Sequence, residues 1–243
     1  MNPDWPRRVA EPPQLPLALR HPADQRLETF VGAPAGVAGQ LHALATGGGE
    51  AVYVTGPAGT GKTHLLLATC ALAHEAGRRA TYLPLASAAG RLRQALEALE
   101  GGDLLALDGL DAVAGEREDE LALFDAHNRA RAAGTGLLYA ARVAPDGLPP
   151  GLPDLRSRLS QCTRVVLHPL DEEGRREVLR QRARRRGWEF DEAALDWLLR
   201  RVDRDLAGLT ALLDRLDRAS LAAKRRITVP FLRELFAGPR GTP

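Results

Sequence analysis

The eight residues from Gly56 to Thr63 have the types and spacing of a loop that binds nucleotide phosphates. Its glycines allow successive backbone N–H groups to turn toward a phosphate chain. Lys62 supplies a positive charge for the outer phosphates, and Thr63 supplies a hydroxyl for Mg²⁺. Only Lys62 and Lys224 are lysine among the 33 basic residues. A lysine kept in this loop indicates a need for a compact charge instead of a guanidinium fork.

A second informative residue is Asp108, which ends the apolar run Leu104–Asp108. A carboxylate at the end of a buried strand beside a phosphate loop completes the Mg²⁺ shell, so Thr63 and Asp108 are the predicted metal-side residues. Position 109 is glycine, where many nucleotide hydrolases have a second acid that orients the attacking water. Asp111 is the nearest substitute, and we expect it to cap the following segment. The pattern predicts nucleotide binding with weak or no intrinsic hydrolysis.

Between residues 27 and 168, apolar strands alternate with helical stretches. The strand candidates are Ala51–Thr55, Ala80–Leu85, Leu104–Asp108, Gly136–Ala141 and Thr163–Leu167. The helical candidates are Lys62–Ala76, Ser87–Leu99, Glu118–Ala133 and Asp154–Ser160. Such alternation indicates a parallel sheet with helices on both faces, in which the phosphate loop joins the first strand to its helix.

After Pro169 the strand pattern stops and helical periodicity takes over. The predicted helices are Glu172–Arg186, a segment after Asp191, about Asp205–Ala223 and a short helix after Pro230. Asp171 and Asp191 are suited to cap the first two, because an Asp side chain accepts hydrogen bonds from the first free N–H groups of a helix. We expect an extended Pro-rich tail over residues 1–26, an α/β nucleotide-binding core over 27–168 and a helical lid over 169–243.

Composition excludes several classes of protein. The 243 residues are 44% apolar with a net charge of +2, which is ordinary for a globular protein and excludes a polycation. The two cysteines, Cys70 and Cys162, match no disulfide framework or zinc motif. There is no signal peptide and no run of 18 apolar residues, so we expect a cytoplasmic protein that does not enter a membrane. A modest basic excess after Pro169 fits either a solvated helical surface or weak nonspecific contact with DNA.

Two further features each allow two interpretations. The peptide Gln14–Leu19 has spaced leucines in a polar tail, so it fits either a hydrophobic pocket on a partner or a strap on its own core. Arg156 and Arg158 precede the last strand and could pair with local acids or reach a neighbour's γ-phosphate, as an arginine finger does. Arg204, at the start of the third lid helix, is a candidate to reach the nucleotide phosphates from the lid.

Together these segments resemble the AAA+ family, and within it the DnaA-related branch. The resemblance runs from Gln14 to about Phe236, and it is most specific in Gln14–Leu19, Gly59–Leu66, Gly151–Leu159 and Leu216–Ser220. It implies an α/β fold, with an AAA+ P-loop parallel-sheet core and a C-terminal helical lid that bind ADP or ATP with Mg²⁺. The nucleotide-binding residues that it implies are Phe30, Val31, Gly56, Pro57, Ala58, Gly59, Thr60, Gly61, Lys62, Thr63, His64, Asp108 and Arg204, with Phe30 and Val31 at the adenine and Arg204 as the lid's sensor arginine.

The same resemblance implies partners. The residues that match a hexapeptide binding the β sliding clamp are Gln14, Leu15, Pro16, Leu17, Ala18 and Leu19. Ala18 stands where that motif more often has proline. Arg158 matches the arginine finger, which implies action in trans on ATP held by the replication initiator DnaA. The implied activity is that of an ADP-carrying regulator, anchored on DNA-loaded clamp, that limits re-initiation of replication.

Two other classes of function compete with this hypothesis. One is an AAA+ ATPase that loads a helicase or a clamp by its own turnover. Gly109 argues against it, as does Ala140-Ala-Arg142, which ends the fourth strand without the usual polar sensor group. The other class is a DNA-binding module that contacts phosphates through the run Arg180–Arg186. The sequence leaves open whether ADP or ATP is resident and whether the molecule forms a homo-oligomer.

Overall fold

The computed structural model describes residues 26–149, 151–185, 187–201 and 227–237. The clamp-binding candidate Gln14–Leu19 lies outside these ranges, as do the third predicted lid helix and Arg204. The fold below therefore concerns the α/β core and the described part of the lid.

Five parallel strands form a sheet in the order β2-β3-β4-β1-β5. Their bounds are β1 Val52–Thr55, β2 Ala80–Pro84, β3 Leu104–Asp108, β4 Gly136–Ala141 and β5 Thr163–Val166. The five predicted strands are confirmed, each to within one residue of its expected ends. Parallel pairing requires each connection to run from the carboxyl end of one strand to the amino end of the next. Helices make these crossovers and cover both faces of the sheet.

The helices of the core pack in two layers. Their bounds are α1 Val37–Ala45, α2 Lys62–Glu75, α3 Leu92–Glu97, α4 Arg117–Ala133 and α5 Pro153–Ser160. Helices α1 and α2 cover one face, where Val52 and Val54 of β1 are buried. Helices α3, α4 and α5 cover the other face around Tyr53, because successive strand residues point to opposite sides. None of the described helices is both long enough and apolar enough to cross a membrane.

One predicted helix, Ser87–Leu99, is shorter than expected. It is replaced by a 3₁₀ turn over Leu85–Ser87 and by α3 over Leu92–Glu97. Gly90 lies between them with a φ of +74°, a left-handed conformation that interrupts helical geometry. The N–H of Gly90 donates to Asp119 Oδ2 at 2.9 Å. A contact with a residue of another helix therefore stabilises this turn, and the local pattern does not contain that information.

The carboxyl-terminal helices form a lid with its own apolar cluster. The described helices are α6 Glu172–Arg185, α7 Glu192–Leu199 and α8 Val229–Ala237. Gly174 N–H donates to Asp171 Oδ1 at 2.8 Å, and Ala193 N–H donates to Asp191 Oδ1 at 3.4 Å. Both predicted helix caps are thereby confirmed.

The basic surface of α6 takes part in ion pairs within the lid. Arg176 Nη2 lies 2.6 Å from Asp196 Oδ1. Arg180 Nη2 lies 3.0 Å from Glu192 Oε1, and Arg180 Nη1 lies 3.3 Å from Glu173 Oε1. Arg180 is the first residue of the run proposed to contact DNA. Its engagement with two acids favours the interpretation of a solvated, self-paired helical surface.

A buried carboxylate fixes the loops around α5. Glu120, on the first turn of α4, is buried, and its Oε1 accepts the N–H of Gly115 at 2.8 Å. Its Oε2 accepts the N–H of Leu152, directly before α5. A side chain at Gly151 would collide with this carboxylate. Glu120 therefore connects two loops that local sequence leaves unconstrained.

Replacing Glu120 with Gln should lower the free energy of unfolding by about 1–3 kcal/mol, because an amide N–H₂ would face backbone N–H donors in a buried position. Glu118→Gln is the matched control, since Glu118 is exposed on the same turn of α4. Its effect should stay within about 0.5 kcal/mol. Urea unfolding of both variants measures the difference, and equal changes would contradict a tethering role for Glu120.

Candidate functional site

The phosphate loop lies at the carboxyl edge of the sheet, between β1 and α2. Gly56 follows β1 directly, and a Cβ at this position would collide with the carbonyl oxygen of Leu167. Gly61 has a φ of +92°, and a Cβ there would lie 2.6 Å from the Phe30 ring. Both glycines are thus required by close approaches of neighbouring chain. The loop presents its backbone at the N-terminus of α2, where an anion is favoured.

The ammonium of Lys62 bends back over the loop. Its Nζ donates to the carbonyl oxygens of Gly56 at 2.6 Å and Pro57 at 2.7 Å. Burial lowers the pKa of Lys62, whereas the nearby carboxylates of Asp108 and Asp111 act in the opposite direction. Phosphate charge at this loop would act in the same direction as those carboxylates and favour the protonated amine.

Asp108 is held by two hydroxyl groups. Thr63 Oγ1 donates to Asp108 Oδ2 at 2.6 Å, and the Tyr82 hydroxyl donates to the same oxygen at 2.9 Å. Burial and the adjacent Asp108 raise the pKa of Tyr82 above its ordinary value. The structure thus brings the two predicted metal-side residues together. It adds Tyr82, which the sequence did not single out because β2 ends without a motif.

The oxygens of Thr63 and Asp108 suit Mg²⁺, a hard cation that protein sites commonly hold through one or two carboxylates, phosphate oxygens and water. Within the described residues, no cluster of three or more His, Cys, Asp or Glu side chains could hold a metal by itself. The donor set therefore fits an ion that enters together with a nucleotide.

The prediction for Asp111 is wrong. Asp111 lies within a 3₁₀ turn, Leu110–Ala112, that follows β3, and it does not cap α4. Its two carboxylate oxygens accept the backbone N–H of Arg142 at 3.0 and 2.9 Å. Asp111 therefore joins the end of β3 to the end of β4, and its oxygens are committed to that backbone contact. Gly109 leaves the usual position of a second acid without a carboxylate.

Phe30 and Val31 contact different parts of the molecule. The Phe30 ring lies edge-on to the His64 ring, with a centroid separation of 5.3 Å. His64 Nε2 is 3.0 Å from the carbonyl oxygen of Arg26. Val31 instead packs with Leu170 against the apolar cluster of the lid. This short segment therefore contacts the phosphate loop with one residue and the lid with the next.

Arg158 lies at the amino end of the parallel strands, whereas the phosphate loop lies at their carboxyl end. It sits near the end of α5, directly before β5 begins, whereas the phosphate loop follows the end of the neighbouring strand β1. Arg158 is exposed, and its guanidinium has no hydrogen-bond or ion-pair partner among the described residues. Arg156 differs, since its Nη2 donates to the carbonyl oxygen of Pro149 at 3.2 Å.

Arg158 borders a polar cleft of about 360 Å³ between α4 and α5. The polar residues that line it are Glu50, His127, Asn128, Arg131, Arg158 and Gln161. His127 is buried, and its Nδ1 lies 2.9 Å from the Tyr139 hydroxyl. Burial, together with the positive charges of Arg131 and Arg158, lowers the pKa of His127 to about 4. The imidazole is therefore neutral near pH 7.

This shift makes a pH dependence of stability testable. The pKa of His127 is about 4 in the folded protein and near 6.5 when unfolded, so the unfolded chain binds the extra proton first as pH falls. Stability should drop between pH 6.5 and pH 4, by up to about 1.4 kcal/mol per pH unit from this residue. Urea unfolding of wild type and His127→Gln across this range isolates the effect. Parallel pH profiles of the two proteins would contradict it.

Comparisons with known proteins agree with this architecture. Residues 171–236 match the family model described as Hda, lid domain. The fold is similar to domain III of the Thermotoga maritima replication initiation protein DnaA, with a TM-score of 0.73 at 21% identity over 89% of this chain and 97% of that chain. AMPPCP-bound DnaA from Aquifex aeolicus gives 0.67 at 21% identity over 82% of this chain.

The present chain covers 66% of that Aquifex DnaA chain. The Thermotoga maritima RuvB Holliday junction branch migration motor is also similar, with a TM-score of 0.62 at 20% identity over 89% of this chain and 72% of that chain. These likenesses confirm the predicted α/β AAA+ fold with a helical lid. Residues 171–236 are therefore similar to the lid domain of Hda, and the chain has the fold of these DnaA structures.

Proposed function

We propose that this Hda-like AAA+ protein is a nucleotide-bound regulator that stimulates hydrolysis of ATP held by DnaA. It would dock on the DNA-loaded β sliding clamp and act through Arg158 in trans, which would limit re-initiation of replication. The observation that carries the proposal is the position of Arg158, unpaired within the described residues and on the far edge of the sheet from this chain's own phosphate loop.

The placement of Arg158 favours a neighbour's nucleotide over its own. Arg158 lies near the amino end of β1, and the phosphate loop follows its carboxyl end. The four residues of β1 separate these two ends by about 13 Å at the usual rise per residue. A guanidinium that is not engaged by local acids can form a fork with phosphate oxygens. A donor of this kind stabilises the charge that develops on a transferred γ-phosphoryl group.

The chain's own site favours retention of nucleotide over turnover. Gly109 supplies no second acid, and both oxygens of Asp111 accept the Arg142 N–H. Lys62, Thr63 and Asp108 supply the charge and oxygen donors for phosphates and Mg²⁺, with Phe30 beside the loop. We propose ADP as the resident nucleotide, as the resemblance to DnaA-related regulators implies.

The proposed clamp contact uses Gln14–Leu19, which precedes the described part of the chain. That part begins at Arg26, whose carbonyl oxygen contacts His64 on α2, near the phosphate loop. Arg158 is at the other edge of the sheet. The described chain thus begins beside the phosphate loop and not at the end of the sheet where Arg158 lies.

The deciding experiment measures single turnover of ATP prebound to DnaA, in the presence of this protein, ADP and clamp loaded on DNA. Arg158→Ala should remove most of the stimulation, by roughly 10³-fold or more, because an arginine finger contributes on that scale. Arg156→Ala is the matched control on the same helix and should retain stimulation. Binding of nucleotide and of clamp should be unchanged in both variants.

Two outcomes would reject this function. Equal loss of nucleotide binding, clamp binding and stimulation in Arg158→Ala would make Arg158 a structural residue. Absence of stimulation by wild type, together with rapid ATP hydrolysis by this protein alone, would favour a helicase-loading or clamp-loading ATPase.

A second prediction concerns the tail. Gln14→Ala/Leu19→Ala should abolish clamp-dependent stimulation while leaving nucleotide affinity unchanged, because an extended peptide loses its polar anchor and an apolar contact. Ala18→Pro should strengthen clamp binding by about 2- to 5-fold, since a restricted peptide loses less entropy on docking. Surface plasmon resonance on immobilised clamp measures both. Unchanged clamp binding by the double variant would reject this peptide as the anchor.

A further inference from the structure

A second arginine, Arg131, faces the cleft that Arg158 borders. Arg131 lies on the last turn of α4, and it is exposed with no ion-pair partner among the described residues. Both guanidinium groups act on the same imidazole of His127 from different helices. Two cations that converge on one cleft repel each other unless an anion lies between them.

The position of Arg131 is not explained by helix capping. Helix α4 ends at Gly134, whose left-handed conformation lets its N–H reach the Arg131 carbonyl oxygen at 3.3 Å. The N–H of Thr135 donates to the Ala130 carbonyl oxygen at 2.9 Å. Backbone groups therefore satisfy these terminal carbonyls, and the Arg131 side chain is not needed to cap them.

The surroundings leave the cleft positive. Its other polar lining residues are the neutral His127, Asn128 and Gln161, and Glu50 is its one carboxylate. Glu50 is exposed at the loop before β1. The cleft, of about 360 Å³, is also larger than a single bound carboxylate group requires. Charge, hydrogen-bond donors and size together fit a phosphate chain better than a single carboxylate.

We infer that Arg131 and Arg158 together form a receptor for the terminal phosphates of a nucleoside triphosphate held by another chain. The inference rests on the proposed function, and it adds Arg131 as a second trans-acting cation. Arg158 would contact the transferred phosphoryl group, and Arg131, from the facing helix, would bind the same phosphate chain. Two charges would hold the triphosphate in one orientation, where one alone permits rotation.

The test uses single turnover of ATP prebound to DnaA and compares two arginines of α4. Arg131→Gln should lower the maximal rate about 10-fold, the scale of losing a hydrogen bond to a charged group. Arg131→Lys should recover part of the rate because it restores the charge. Arg129→Gln is the matched control, since Arg129 faces away and pairs with Glu100 at 2.7 Å. Thermal unfolding of all three variants checks that the fold is retained.

The outcomes separate this inference from the proposed function. If Arg158→Ala abolishes stimulation while Arg131→Gln behaves like Arg129→Gln, the receptor is overturned and the proposed function stands. If neither Arg158→Ala nor Arg131→Gln changes the rate, the proposed function fails as well. Binding of free ATP is measured for Lys62→Ala with and without Arg131→Gln. If Lys62→Ala binds ATP and the added Arg131→Gln removes that binding, the cleft takes nucleotide from solution and the assignment to a partner is overturned.

Discussion

The parallel pairing of β1 with β5 places the phosphate loop and Arg158 at opposite ends of the sheet's strands. Thr163 N–H donates to the Ala51 carbonyl oxygen at 2.8 Å, and Leu167 N–H donates to the Thr55 carbonyl oxygen at 2.7 Å. The first bond places the end of α5, with Arg158, at the amino edge. The second brings the Leu167 backbone so close to position 56 that only glycine fits. One strand pair therefore positions both the phosphate loop and the opposite arginine.

The segment before α1 couples the core to the lid by a shorter route. Phe30 packs against Gly61 and His64, whereas Val31 packs with Leu170 into the lid cluster. One short segment therefore contacts both the phosphate loop and the apolar cluster of the lid. Within the described part of the lid, ion pairs such as that of Arg176 with Asp196 join α6 to α7.

The elements that were predictable from sequence carry their signal locally. Buried apolar runs predicted the five strands, and Asp171 and Asp191 predicted two helix starts. The errors involve distant contacts. The turn at Gly90 depends on Asp119, and Asp111 accepts an N–H from the end of β4 instead of capping the next helix. Tyr82 and Arg131 were missed for the same reason, because only the assembled sheet and helices place them beside Asp108 and Arg158. A local motif identifies a phosphate loop, but it does not identify the side chains that complete a site from other elements.

The separation of the two edges makes the molecule directional. Under the proposed function, a contact through the Arg158 end of the sheet would join unlike surfaces of its two members, so it would be heterologous and without twofold symmetry. After one such contact, this chain's own phosphate-loop end would remain open to a third molecule. A series of such contacts would form a closed ring or an open row, according to the rotation between neighbours. A chain that lacks one of the two functional ends would terminate the row.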